Sequence, residues 1–429
     1  MHILSVVRPK VGRTHGARTS IAILFFVFLA ACGGGNDDGG APDAAPASPG
    51  SLDSIFSTDG IVTTSIGTDS TSALALGVQT DGKIVVAGNA TNDGINFFFA
   101  LARYNTDGTL DTTFGVGGIV TTAVPGTTSS SAAALGLQTD GKIVVAGTAD
   151  GNIALARYNS DGTLDSTFDT DGIVTTTTIG TGSSALAVGL QTDGKIVVTG
   201  NATIGGVENF VVVRYNTNGS LDTSFDTDGI VTTSIGTSSN AFALALQSDG
   251  KIVAAGKSDS GASENVALAR YNSGGSLDTS FDFDGIVTTV FAANSVAFAL
   301  ALQSDGKLVV AGNAGGEIVV VRYTSSGALD TTFSSDGVVI TPLGIFASAS
   351  ALALQSDGKL VVAGTSDGNF VVARYNSSGT SDTSFGSGGI VTTAIGISAS
   401  ASALALQSDG KIVAAGSSDG SIAVARYNP

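Results

Sequence analysis

The decapeptide "QTDGKIVVAG" at Gln79–Gly88 returns six more times in close variants. Aligning on its lysine (Lys83, Lys142, Lys195, Lys251, Lys307, Lys359, Lys411) gives steps of 59, 53, 56, 56, 52 and 52 residues. A chain built on such a period consists of supersecondary units that cannot bury their own apolar faces and must stack on their neighbours to do so. Each unit holds four β-type runs, shown by the sixth: "SALALQ" at 350–355, "KLVVAG" at 359–364, "NFVVARYN" at 369–376 and "GIVTT" at 389–393. Ala/Leu alternation, Val and Ile enrichment and Gly-containing breaks specify strands, and no segment carries a helical period. The class is all-β. The Asp-Gly pair in "TDGK" and "SDGK" predicts a two-residue type I′ hairpin turn between the first and second runs.

The chain ends decide between an open and a closed array. Residues 51–64, "SLDSIFSTDGIVTT", match the tail of a repeat, whereas the C-terminus stops at "IAVARYNP" without that tail. Joined, they make one unit. An N-terminal strand that completes the last blade hides both edges of a ring, while a linear β-solenoid would need polar caps. The expectation for residues 51–429 is therefore a seven-bladed β-propeller of four-stranded blades, closed by the N-terminal strand. Leu/Ala alternation in the first run suits the narrow hub of such an array. The pattern "ALQSDGKIVVAG…ARYN…GTLDTTFG.GGIVTT" resembles the bacterial delta-60 repeat family over essentially all of residues 51–429. That resemblance implies a propeller-like fold on exported proteins and implies no reaction or ligand.

Residues 1–31 read as an export signal: Arg8, Lys10, Arg13 and Arg18 precede the apolar run "IAILFFVFLA". The end of this segment, Leu29-Ala30-Ala31-Cys32, resembles the lipobox of bacterial lipoproteins, which implies lipidation of Cys32. Gly33 follows where some lipoproteins carry Asp, and by resemblance to Gram-negative lipoproteins this implies a cell-envelope protein at the outer membrane. Residues 32–50 form a Gly/Ala/Pro/Asp tether too poor in large apolar groups to pack, reaching roughly 20–25 Å as a flexible chain.

Four of the 19 basic residues and both histidines precede Cys32, leaving 15 basic against 36 acidic residues, a net charge of −21. Such a surface repels nucleic acid and anionic headgroups. Cys32 is the only cysteine, so disulfides and cysteine metal sites within one chain are excluded. The absence of His beyond residue 15 excludes a histidine-dependent triad. The expected partners are the membrane, through the lipid, and a protein or glycan ligand, with the propeller itself a monomer.

All seven tyrosines and all seven arginines after Cys32 sit in "RY" dipeptides, Arg103-Tyr104 to Arg426-Tyr427. A strand arginine packed beside apolar neighbours needs a partner. Asp111, eight residues after Arg103, is the expected one, and Asp53 is expected to serve Arg426 across the closure. A second group, Asp169/Asp171, Asp226/Asp228 and Asp282/Asp284 in "FDTDGIV" and "FDFDGIV", has the Asp-x-Asp-Gly spacing of calcium loops without a full ligand set, so it is read either as a calcium site or as plain turn chemistry. No other cofactor is expected. The loops between second and third runs carry Asp93, Asp150, Glu208, Asp259, Glu317, Asp367 and Asp419, with Glu264 beside Asp259; these read either as hairpin turns or as an acidic binding ring on one rim. No off-pattern acid, base or nucleophile marks a catalytic residue. The favoured function is a binding or scaffold module. The alternatives are a calcium-dependent hydrolase or lactonase-like enzyme at the channel mouth and a structural surface adhesin.

Overall fold

The computed structural model describes residues 47–291 and 294–429; the signal segment, Cys32 and the tether up to residue 46 lie outside the described residues. The described chain forms seven four-stranded antiparallel sheets with no helix among them. In the first blade the order from hub to rim is Ser70–Val78, Ile84–Thr91, Phe97–Tyr104 and Ile119–Thr122. The "IVVAG" strand is buried along its whole first five residues, because both faces of a middle strand lie against neighbouring blades. That is why it reads as a continuous apolar run and not as an alternation. The short outer strand "IVTT" is only partly covered.

The innermost strands Ser70–Val78, Ser130–Leu137, Thr181–Leu190, Ser238–Leu246, Ser295–Leu302, Ala347–Leu354 and Ala399–Leu406 each abut the next, and the last abuts the first. The ring is closed by Ile61–Thr64, which pairs antiparallel with Ser421–Tyr427: Ile61 opposite Ala425, Thr64 opposite Ile422. The core follows from the ring. It is divided into seven clusters, one at each interface between adjacent blades. The cluster joining the last blade to the first packs Phe56, Val413 and Val424 against Ile84, Val86 and Tyr104.

Each innermost strand carries a β-bulge at the same point; in the first blade Ala73 pairs with Gly88 and Ala75 with Ala87, leaving Leu74 as the extra residue. The bulge pushes a carbonyl onto the neighbouring strand. A Cβ on Gly88 would lie 1.9 Å from the Ser72 oxygen, and the six equivalent glycines meet the same obstacle at 1.8–2.0 Å. The glycine of "VAG" is thus set by space. Gly88→Ala is expected to lower stability by about 3 kcal/mol or more, read as a fall in the denaturant midpoint. An unchanged midpoint would show that the bulge yields freely.

The turn chemistry differs from the sequence expectation. In "QTDGK" the Gly82 N–H donates to the Gln79 carbonyl at 2.9 Å and Gln79 N to the Lys83 carbonyl at 2.8 Å. Gly82 has φ 84° while Asp81 is not left-handed. This is a three-residue loop, a type I turn ending in a glycine bulge, and not type I′. Asp81 stays right-handed because its Oδ1 accepts the Lys83 N–H at 3.1 Å, a local bond that fixes the turn. The type I′ geometry occurs at the opposite end of the blades, between second and third strands, where Asp150-Gly151 have φ 43° and 75° and Asp367-Gly368 have 47° and 77°.

Candidate binding face

The two ends of the propeller are built differently. One, the turn face, gathers the "DGK" turns and the connections from third to fourth strands. The other, the loop face, gathers the hairpins between second and third strands and the connections from one blade to the next.

On the turn face the repeated residues hold blades together. Arg103 Nε lies 2.7 Å from Asp111 Oδ2 and its guanidinium sits 4.5 Å from the Phe114 ring centroid. In the second blade the Arg157 NH1 group donates to the Thr217 carbonyl of the third blade at 2.6 Å, and equivalent bonds to the following blade are made by Arg214, Arg270, Arg322 and Arg426. Lys83 Nζ reaches the same Asp111 oxygen at 3.0 Å, and Asp111 Oδ1 accepts Thr113 N–H and Oγ1–H. Burial pushes the Asp111 carboxyl up, but bonds from Thr113 and Lys83 and the Arg103 charge outweigh it and hold it well below the usual range. At the closure Asp53 Oδ2 lies 2.8 Å from Arg426 and 3.3 Å from Lys411 Nζ, with Phe56 under the guanidinium at 4.6 Å.

The tyrosines form a second staple that sequence reasoning missed. Tyr104 OH bonds Thr64 Oγ1 of the preceding blade at 2.8 Å, Tyr158 bonds Thr122 at 2.9 Å, and all seven make the equivalent bond. Burial pushes the Tyr104 hydroxyl up to about 12, against the opposing bond from Thr64. The available signal was the coupled recurrence of "RY" with the last Thr of "IVTT".

The Asp-x-Asp pairs also lie on the turn face. Asp169, Asp171, Asp226, Asp228, Asp282 and Asp284 are exposed. Asp169 and Thr170 are both left-handed, at φ 46° and 68°, and Asp171 Oδ1 accepts the Ile173 N–H at 2.9 Å. The spacing thus serves a tight turn stapled to the next blade by Asp169 N–H and the Asn218 carbonyl, 2.9 Å. Among the described residues no three His, Cys, Asp or Glu side chains gather in one place.

On the loop face the acids divide by task. Asp150 accepts Thr128 N–H at 2.7 Å and Ser129 N–H at 2.9 Å, so the hairpin carboxylate ties down the connection entering its own blade. Those backbone bonds hold its carboxyl below the ordinary value. Asp367 does the same for Ile345 and Phe346, and Asp419 for Ile397 and Ser398. Asp93 folds its own longer loop, accepting Asn96 and Ile95 N–H, and those bonds keep it far below the carboxylate range. Asp259 accepts Gly261 N–H at 2.7 Å. Glu208 reaches across to Ser238 and Asn240 of the next blade, Glu264 pairs with Lys257, and Glu317 opens the third strand of its blade. Together with Asp69, the loop face presents nine carboxylates against one lysine, Lys257.

Several residues of this face escaped the sequence reading. Val290, Ile345, Phe346 and Ile397 are large, apolar and exposed on the blade-to-blade connections. Comparing those connections with one another, instead of the repeated strands, would have found them.

Seven segments of the chain, residues 79–114, 138–168, 191–225, 247–281, 303–333, 355–385 and 407–429, match the β-propeller domain of unknown function DUF5122. No curated protein sequence matches the chain. Among solved structures, a streptogramin B lyase superposes with a TM-score of 0.54 at 13% identity, covering 86% of this chain and 97% of the other. Virginiamycin B lyase from Staphylococcus aureus with quinupristin superposes at 0.51 and 14% identity, covering 86% and 99%. At such identities these likenesses show the fold alone. The seven matched segments span more than half of the chain, one in each blade, and the chain belongs to the DUF5122 β-propeller family.

Proposed function

We propose that this propeller is a binding or scaffold module of the bacterial cell envelope, carried on a lipid at Cys32 and engaging its partner through the loop face. The observation that carries this reading is the division of labour between the two faces. The Arg, Tyr, Lys and paired Asp side chains of the turn face recur in every blade and are consumed by contacts within and between blades, and single exposed residues such as Val116 and Phe283 differ there without any change of chain length. The loops differ in length, charge and apolar character together, as in "NATNDGIN", "NATIGGVEN" and "KSDSGASEN". Seven copies of one turn offer generic contacts; loops that differ can single out a partner.

The path of the chain supports the same orientation. Pro49 O accepts Gly386 N–H at 3.1 Å and Gly50 N–H donates to Asn428 O at 2.9 Å, so the chain enters the propeller at the turn face. An anchor upstream of residue 47 would join the propeller at that face, opposite the loops in the chain path. The exported, bacterial setting is the one implied by the delta-60 resemblance. Cys32→Ser is expected to move the protein from the membrane fraction to the soluble one; unchanged fractionation refutes the anchor.

The binding reading is tested with a photo-crosslinking residue placed at Ala262 on the loop face or at Ser408 on the turn face, both exposed, in intact cells. Adducts are expected from position 262. Adducts from position 408 alone would overturn the assignment.

A further inference from the structure

The exposed apolar residues of the loop face stand in positions that the fold fills with polar groups elsewhere. In the sixth blade Asp367 N–H donates to the Phe346 carbonyl; the same bond runs from Asp150 to Ser129, from Asp419 to Ser398 and from Gly315 to Asn294. Phe346 therefore occupies a slot held by Ser129, Asn294 and Ser398 in other blades. Likewise Ile345 and Ile397 donate their N–H groups to Asp367 and Asp419 as Thr128 does to Asp150. With the backbone the same and the side chain free to be Ser, Thr or Asn, the fold does not ask for Ile or Phe there. Yet Ile345, Phe346 and Ile397 are 79%, 73% and 95% exposed. Large apolar side chains exposed on the connections of neighbouring blades, where the fold accepts polar ones, are what an interaction surface presents.

Beside Phe346 lies a recess of about 420 Å³ walled by Phe346, Ala347, Gly315 and Gly316, with Asn313 and Thr365 at its polar edge. It exists because the fifth blade turns on Gly315-Gly316, at φ 61° and 89°, where the second, sixth and seventh turn on Asp-Gly. That exchange removes both a side chain and a charge from the spot. Glu317 follows Gly316 in the chain, and the Glu264 backbone N–H bonds the Asn294 side chain, which also lines the recess.

We propose that the connections of the fifth to seventh blades, with Ile345, Phe346, Ile397 and the recess over Gly315-Gly316, form the docking site for a protein segment that inserts a large apolar side chain beside lysines or arginines. This rests on the binding-module reading and names its partner class. The recess takes one or two large side chains, not a helix. The nine carboxylates around the face, against one lysine, supply the complement for a basic segment and disfavour an anionic one. They also disfavour an anionic lipid surface, which would otherwise compete as the reason for exposed Ile and Phe.

The test selects binders to the purified full-length protein from a phage-displayed random twelve-residue peptide library. The expected peptides combine an aromatic residue or leucine with at least two basic residues. Their affinity is expected to fall at least about tenfold in the triple variant Ile345→Thr, Phe346→Ser, Ile397→Thr, and to weaken with salt. The variant should melt with the parent, since the replaced side chains are exposed and their replacements already stand in sister blades. Peptides that lack an apolar residue, or that bind the triple variant undiminished, overturn the proposal. Where those peptides are still blocked by a bulky label at Ala262, only this docking site fails; where a label at Ser408 blocks them instead, the loop-face reading fails with it. Sedimentation of the wild-type protein, but not the triple variant, with neutral phosphatidylcholine vesicles would overturn the proposal in favour of a membrane surface.

Discussion

Deleting residues 51–64 is expected to abolish the cooperative unfolding of the whole propeller, although the deletion touches the sequence of only one blade. The segment supplies the outer strand Ile61–Thr64 to the last blade, so its loss bares the edge of Ser421–Tyr427. It also removes the fully buried Phe56, the Thr64 partner of Tyr104 and the Asp53 partner of Arg426. The arginine is the costliest item. Its side chain is 4% exposed, and a buried charge stripped of its partner costs about 3–5 kcal/mol. Adding a lost strand and an opened interface between the last and first blades exceeds the roughly 5–15 kcal/mol that holds a typical domain. Asp53→Asn keeps the strand and removes only the charge; it is expected to lower stability by about 3–5 kcal/mol. Because the closure is not continuous in the chain, a synthetic peptide of residues 51–64 should restore the melting transition of the deleted protein. A deletion variant that melts within a few degrees of the parent would show that the ring is not held at this seam.

The strands, their order within a blade, the count of blades and the partner of each arginine could be read from the sequence because a repeat multiplies each local signal by seven. Asp111 was found from Arg103 by asking what a packed charge requires, and Asp53 from Arg426 by carrying that spacing across the chain ends. The turn type was misread because Asp-Gly suits two geometries. What separates them is the bond from Asp81 Oδ1 to Lys83 N–H, which no pair preference encodes. The Tyr–Thr staples escaped because their partners belong to successive blades and meet only when neighbouring blades pack. The apolar slots at Ile345 and Phe346 escaped for the opposite reason: the repeat draws attention to what recurs, and these residues matter by departing from it. The acids of the loop face were visible as residues, but not the fact that Asp150, Asp367 and Asp419 use their oxygens to hold the neighbouring connection.

Acid should unfold the protein through the same buried aspartates, and neutral pH should leave it indifferent. Asp382, buried beside Arg374 with Ser384 bonded to its carboxyl, is held to about 2 against an ordinary value of 3.8, because the bonds and the charge outweigh the burial that pushes it up. The equivalent carboxyls Asp53, Asp111, Asp165, Asp222, Asp278 and Asp330 are lowered by the same opposition. A carboxyl whose folded value lies below its unfolded one stabilises the fold in full above the unfolded value. That contribution is lost as pH falls through the folded value. At about 1.4 kcal/mol per pK unit, Asp382 contributes on the order of 2 kcal/mol, and the other six carboxyls act in the same direction. The melting temperature should therefore hold level from pH 8 to 5 and fall steeply from pH 4 towards 2. No histidine lies beyond residue 15, which leaves no side chain that ordinarily titrates near neutrality to place a step there. Asp382→Asn should lower the plateau and soften the acid limb, since one of the seven protons has already been taken up in effect. A step in stability between pH 6 and 7, or an acid limb that Asp382→Asn leaves unchanged, would assign the pH response to other groups.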